Sequence, residues 1–488
     1  MRCKTATTLV LSLATVLCGL SVPLTTLAQE PTTTDSTVTY PAEFFSQYEP
    51  FSVNDMLDRI PGISVARGGG GGGNGGPGSS GGSGRRGLGL GGDQILINGR
   101  RTAGKENEGN SQLSRIPANQ VQYIEIIRGT SGELDVRGGN QVINIVLLQA
   151  ESRSSIAYEI NADQLHDGEF KPGGKVSLTG QRGALDYLFS AESEPRWDRR
   201  KGFERSILGD GTPNDNVSRV TTTDSQPLVF SMNLGYEFST DDIAHFNAQF
   251  EDRDAPFFDE RTIFNLRSMP RTDTVQFDNT DHTGEFWEIG GDYEHTFANN
   301  ARWKTLFIVN KKEDDSERNR FDLAGSTRTK DLFIANFNRY QERIIRSSYS
   351  FAFAGSQNIE VGMERAQTIL DSSLQLGLLS GLGTPSDAFG GLPAVNNANA
   401  TVEELRYESF FIHNWQINSR MALESTLIAE TSEIAQTGDV SKKRDFDFIR
   451  PKVDYRFDIT PALQFRATVE KDVSQLSFND FTANINSG

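Results

Sequence analysis

"PLVFSMNLGYEFSTDDIAHFNAQFED", residues 227–252, decides the fold. It reads as two strands about a short turn at Ser239–Asp242. Each strand runs about ten residues with apolar and polar positions alternating, long enough to cross a bilayer at a tilt. The pattern recurs along the chain. "SSIAYEINA" (154–162) alternates, "KVSLTGQRGALDYLFSAES" (175–193) turns at Gly180–Ala184, and residues 285–312 turn at Ala298–Asn300. Residues 348–370 turn at Gly355–Asn358, residues 410–430 at Asn418–Arg420, and residues 448–470 at Asp458–Pro461.

Connection length alternates as well. Between the tight hairpins lie polar stretches, Pro195–Gln226, Arg253–Thr283, Glu313–Tyr340 and Asp371–Thr401, expected to be long loops. Short turns on one side and long loops on the other are the pattern of an antiparallel transmembrane β-barrel. A soluble sandwich or propeller does not require that regularity. Aromatic residues near strand ends suit an interfacial girdle: Tyr236, Phe238, Tyr293, Phe297, Trp303, Phe351, Phe353, Trp415, Tyr455 and Phe457. A mean hydropathy of −0.45 does not argue against a membrane, because barrel strands carry a polar residue at every second position.

The N-terminus sets the compartment. Arg2 and Lys4, the apolar run Thr7–Leu20 and small residues at Thr26 and Ala28 make residues 1–28 a secretory signal peptide. Both cysteines, Cys3 and Cys18, fall within it, so the exported chain has no disulfide. The net charge of −17 disfavours nucleic acid as a partner.

Residues 41–150 have a different grammar. "FSVNDMLDRIPGISV" is a short amphipathic helix with Ser52 or Asn54 as its cap and Pro61-Gly62 as its stop. A glycine tract follows, then the strand "QILING", a polar loop, the helical piece "LSRIPANQV", and the strands "YIEIIRG" and "QVINIVLL". This is a small α/β domain. Two catalytic patterns in the glycine tract, G-x-G-x-x-G at Gly87, Gly89 and Gly92 and G-x-S-x-G around Ser80, lack the strand-turn-helix setting that gives them meaning. No nucleophile and base are found together, and the chain is not expected to be an enzyme. His166, His245, His282, His295 and His413 lack ligand spacing, so no metal or cofactor is expected. The acidic group Asp252, Asp254, Asp259 and Glu260 is a candidate for a divalent cation or for a solvated loop.

The words "DMLDRIPGISV", "RGLGLGGDQILINGRR", "LSRIPANQVQYIEIIRG" and "GGNQVINIV", in that order, resemble the plug domain of TonB-dependent outer-membrane receptors. The resemblance implies a plug at 41–150 within a barrel of about 22 strands, of which about 13 are counted in residues 151–488. It also implies a monomer in the outer membrane of a Gram-negative bacterium. On that reading the chain is a C-terminally truncated receptor that ends in the polar "DFTANINSG". Residues 29–40 form a periplasmic segment, in which Thr37, Val38, Thr39 and Tyr40 are the candidate energy-coupling box for a TonB-type periplasmic energy-transducing protein. The alternative there is a plain tether. Glu125 and Arg128 tie plug to barrel wall on this resemblance.

The resemblance places the Gly68–Arg85 loop on the extracellular face, and Arg67, Arg85, Arg100, Arg101 and Lys105 form the candidate substrate-facing surface. The implied function is energy-dependent uptake of a scarce large nutrient, a ferric siderophore first, a sugar or cobalamin otherwise. The alternatives are a plug-containing surface binding or signalling receptor without transport, or a non-functional fragment. The basic run Arg196, Arg199, Arg200, Lys201 and Arg205 meets lipopolysaccharide or is a solvated loop.

N-terminal sequencing of the exported protein is expected to begin at or near Gln29. A start before residue 20 would contradict the signal peptide.

Overall fold

The computed structural model describes, in the N-terminal domain, residues 32–34, 37–50, 52–60, 94–98, 113, 116–127 and 142–148. Beyond it the structure describes residues 152–270, 273–324, 326–418, 420–460, 463–471, 473, 476 and 478–481.

The N-terminal domain holds β1 (Thr32–Thr34), β2 (Thr37–Pro41), α1 (Ala42–Phe45), α2 (Val53–Leu57), β3 (Gln94–Ile97), β4 (Val121–Ile127) and β5 (Val142–Leu147). Its sheet has the order β1-β2-β4-β5-β3. Helix α2 starts where the sequence requires it. The Ser52 hydroxyl accepts from the Asp55 N–H, the Asp55 carboxylate accepts from the Ser52 N–H, and this reciprocal cap satisfies two otherwise orphaned donors. Phe45, Val53, Met56, Leu57 and Ile124 pack into one core, and Leu188 from the following domain inserts into it.

The second domain is built almost wholly of strand, with short 3-10 turns at Asp387–Phe389 and Phe478–Phe481. Its first part contains β6 (Ser152–Gln164), β7 (Phe170–Arg182), β8 (Leu185–Ser193), β9 (Arg196–Ile207) and β10 (Pro213–Glu237). It continues with β11 (Asp242–Asp254), β12 (Phe257–Asn265), β13 (Asp273–Thr296), β14 (Arg302–Ala324) and β15 (Thr327–Phe353). The last strands are β16 (Gln357–Leu378), β17 (Pro385–Ser386), β18 (Leu392–Asn418), β19 (Met421–Gly438), β20 (Lys442–Thr460) and β21 (Leu463–Glu470). They form a 16-stranded sheet in which β9, β12 and β17 lie off the main path from β6 to β21. The main path therefore carries thirteen strands, the number counted from sequence.

Two sequence expectations need correction. The strands are not uniformly ten residues long, since β15 runs 27 residues and β10 runs 25. The polar stretches expected as loops are largely paired strand: Arg219 in one of them sits opposite Arg261, and Asp314 opposite Asn338. The hairpins continue past the membrane because polar residues on both faces of a ladder are solvated outside lipid, while the backbone pairing costs nothing extra. The basic run at 196–205 is likewise the edge strand β9, not a loop.

The two faces of the sheet have opposite chemistry. Outward positions of β6 carry Ile156, Tyr158 and Ile160, 68%, 76% and 83% exposed. Outward positions of β10 run Leu228, Phe230, Met232, Leu234, Tyr236. About nine residues at a tilt near 40° rise about 23 Å, the height of an outer-membrane apolar band. Inward positions are polar and buried: Ser177, Ser190, Asn247, Glu288, Arg346 and Glu364. At the short-turn end the aromatic girdle is present, with Tyr236 against Phe238 at 4.8 Å and Phe297 against Tyr349 at 5.9 Å.

Above the band, β9, β10, β12 and β13 rise as a fin. Burial pushes the Asp259 carboxyl up, but hydrogen bonds from Arg219 and Arg261, both at 2.7 Å, and from Thr221 outweigh it, so its pKa is lowered. A depressed pKa means that this anchoring is complete above the ordinary carboxylate range and fails only as pH falls through the lowered value. At neutral pH the variant Asp259→Asn is therefore expected to speed protease cleavage within 196–265 without changing the rest of the barrel. Digestion unchanged from wild type would show that the ion pairs do not hold the fin.

Candidate functional site

The plug is the place to look first, since the residues singled out by sequence cluster there. The candidate coupling box is strand β2. Val38 pairs with Ile126, Thr39 with Glu125 and Tyr40 with Ile124, and β1 covers the other edge. The segment is thus a sheet strand and not a tether. Its alternation of Val38 and Tyr40 against the plug core is a period-two signal readable from sequence. Glu125 accepts a hydrogen bond from Asn144 Nδ2 at 2.8 Å, so its observed partner is in the plug's own sheet and not in the barrel wall. Arg67, Arg85, Arg100, Arg101, Lys105 and Arg128 lie outside the described residues.

Docking to the wall uses residues that sequence reasoning missed. Thr179 Oγ1 on β7 donates to Gln120 Oε1 at 3.0 Å, and Leu188 on β8 enters the plug core. Both occupy inward positions of the sheet, Thr179 directly opposite Leu188. The signal in sequence is the alternation itself: an inward leucine where neighbours are serine and threonine has to meet another apolar surface.

The inner wall is a ladder of paired charges. Arg346 on β15 donates to Glu364 on β16 at 3.4 Å, and Arg406 on β18 donates to the other Glu364 oxygen at 2.7 Å. The three side chains are 2%, 1% and 4% exposed. The Arg346 guanidinium also lies 4.1 Å from the Phe410 ring centroid. Phe410 has room because its cross-strand partner is Gly362, where an added Cβ would fall 2.3 Å from the ring. One step along, Arg450 on β20 bridges Glu408 and Glu430 at 2.7 and 2.8 Å. Nearer the plug, Asp292 lies 3.0 Å from His245 Nδ1 and 4.0 Å from Lys304.

Higher in the lumen the wall becomes apolar. Leu370, Val402 and Ile434 form a cluster with Tyr340 and Phe446, and Phe478 and Phe481 pack on it. Among the described residues no three His, Cys, Asp or Glu side chains form a metal-binding group. The acidic run Asp252–Glu260 does not act as a cation site, since Asp259 is committed to two arginines.

Residues 29–139 match the model of the TonB-dependent Receptor Plug Domain. A vitamin B12 transporter, BtuB, of Photobacterium profundum is 31% identical over 171 residues, 34% of this chain, and the match covers 26% of that transporter's length. The open form of the ferric-catecholate import receptor Fiu of E. coli K12 aligns over 90% of this chain and 85% of that one, with 10% identity and a TM-score of 0.33. The ferripyoverdine receptor of Pseudomonas aeruginosa aligns over 89% and 56%, with 11% identity and a TM-score of 0.37. Residues 29–139 are thus similar to a TonB-dependent receptor plug, and an antiparallel path of thirteen long strands follows them.

Removing the carboxylate of Glu364 leaves two guanidinium groups buried beside each other. Glu364→Ala is expected to destabilise the barrel by about 3–5 kcal/mol, the usual cost of breaking a buried ion pair. Replacing Arg346, Glu364 and Arg406 together by Met, Leu and Met should restore most of that loss. Heat-modifiability on gels and urea unfolding in detergent give the readout, and a triple variant as weak as the single would show that the charges, not their pairing, are required.

Proposed function

We propose that the chain forms the plug and wall of a receptor that imports a scarce large solute by energy-dependent uptake, with a ferric siderophore as the leading substrate class. The observation that carries the reading is the docked plug. A small domain attached through Gln120 and Leu188 sits against the inward, charge-bearing face of the sheet, so a solute moving along that face has to pass it, and passage requires work done on the plug. The coupling element is Thr37–Tyr40, reached by a TonB-type periplasmic protein once β2 leaves its place beside β4. The relative named for vitamin B12 supports a large solute over a small one.

Substrate contact is assigned to Arg67, Arg85, Arg100, Arg101 and Lys105. Their donors match carboxylate, catecholate or hydroxamate oxygens of an iron chelate, and arginine does so in fork geometry. Arg128 serves plug docking, whereas Glu125 is held within the plug's own sheet by Asn144. Cobalamin is the second substrate class, on the strength of the same relative.

The test uses the full-length receptor in a strain lacking it, supplied in turn with defined ferric siderophores, cobalamin and oligosaccharides. Val38→Pro removes a backbone donor from β2. It is expected to abolish energised uptake while leaving surface binding intact. Arg100→Ala with Arg101→Ala should weaken binding of the transported solute by about tenfold or more, as the loss of charge-assisted hydrogen bonds implies. Growth on every source without the receptor, or uptake indifferent to both variants, would favour a surface receptor that transports nothing.

A further inference from the structure

Arginine on the lipid face of a barrel is costly at the bilayer midplane and nearly free at the interface. Two stand there. Arg343 on β15 and Arg365 on β16 share the outward parity of Ile345 and Met363, which are 52% and 65% exposed. Following β15 from its short turn, the outward residues are Phe353, Phe351, Tyr349, Ser347, Ile345 and then Arg343. The arginines therefore mark the top of the apolar band, on the side away from the short turns, at the headgroups of the outer leaflet. Arg343 lies opposite Gln367 and Arg365 opposite Ile345, so the two are diagonal neighbours within reach of each other's guanidinium groups.

Their partners distinguish them from every other cation nearby. Lys311, also outward and on the adjacent strand, is held by Glu285 and Glu313, each at 3.2 Å. Arg339 takes Glu313 at 2.5 Å. Among the described residues Arg343 and Arg365 meet no carboxylate, and Gln367 between them is committed to Glu403 at 2.6 Å. Tyr407, 49% exposed, lies directly opposite Arg365 and adds an outward hydroxyl. Two neighbouring cations with a phenol beside them, over exposed aliphatic surface, repel each other unless an anion sits between them.

We infer that Arg343, Arg365 and Tyr407 form a binding site for the phosphate of a phosphorylated glycolipid in the outer leaflet, whose acyl chains lie along Ile345 and Met363. Phosphate accepts from both guanidinium forks and the hydroxyl, and the chains bury the aliphatic strip beneath. This differs from the sequence expectation, which looked to the run at 196–205. There Arg199 is within 3.7 Å of Asp167, Arg200 pairs with Asp198, and β9 stands well above the apolar band. The inference does not depend on which solute the receptor imports.

The test is lipid retention by the full-length receptor extracted from outer membranes, read by native mass spectrometry. Arg343→Gln with Arg365→Gln is expected to retain about tenfold less phosphoglycolipid than wild type, the factor that loss of a charged hydrogen-bond set implies. Lys201→Gln, on the fin, should retain as much as wild type. In nanodiscs, wild-type receptor should prefer phosphorylated over enzymatically dephosphorylated glycolipid by a similar factor, an arm that needs no variant. Millimolar inorganic phosphate should not displace the lipid, because it lacks the chains. Equal retention by the double variant, no preference for the phosphorylated lipid, or an equal loss in Lys201→Gln would each overturn the site.

Discussion

In hydrocarbon no water is available to satisfy a backbone donor or acceptor, so every peptide group of a spanning strand must bond to a neighbouring strand. The rest of the structure depends on this. It forces the ladder from β6 to β21, and the ladder forces alternation: each strand gives one residue to lipid and the next to the lumen. Apolar side chains that a soluble domain would bury are displayed at Ile156, Tyr158 and Ile160. Charges that it would display are buried at Glu288, Arg346 and Glu364. Buried charge is tolerable only when paired, which is why Glu364 accepts from arginines on both flanking strands and why Arg450 spans two glutamates.

The plug obeys the opposite rule. It has an ordinary apolar core, and among the described residues it joins the wall where the wall departs from its own pattern. Leu188 is an apolar residue at an inward position, and Thr179 opposite it offers one hydroxyl to Gln120. Among the described residues that attachment amounts to one hydrogen bond and one leucine. Strand β2 is placed correspondingly, near the edge of its sheet, with β4 on one side and only the three-residue β1 on the other.

Much of this was legible in the sequence because it follows from periodicity. The short turns at Ser239–Asp242 and Ala298–Asn300, the capped helix after Ser52 and the thirteen-strand path could be read from alternation and turn chemistry. The extramembrane hairpins could not. A strand with polar residues on both faces looks like a loop, since the signal for a strand is contrast between its faces; Arg219, Asp259 and Arg318 carry charge where a half-buried strand would carry valine. Pairing is equally invisible in one dimension. That Glu364 meets Arg346 and Arg406, and that Glu125 meets Asn144, depends on register between neighbouring strands, which alternation along one strand does not fix. The contact between Leu188 and the plug required knowing which face of β8 points inward.

Pairing also separates charges that build the protein from charges available to a ligand. The lumen arginines Arg346, Arg406 and Arg450 already answer to Glu364, Glu408 and Glu430, and an anionic solute drawn to them would have to displace a carboxylate held at 2.7 to 3.4 Å. At these positions the wall presents paired charge. The apolar patch of Leu370, Val402 and Ile434 beyond the charge ladder is a surface of a different kind, where contact displaces no ion pair. The same inner face therefore changes along its strands from paired charge to apolar contact, because the register that sets Glu364 opposite Glu408 and beside Arg406 also sets Leu370 opposite Val402.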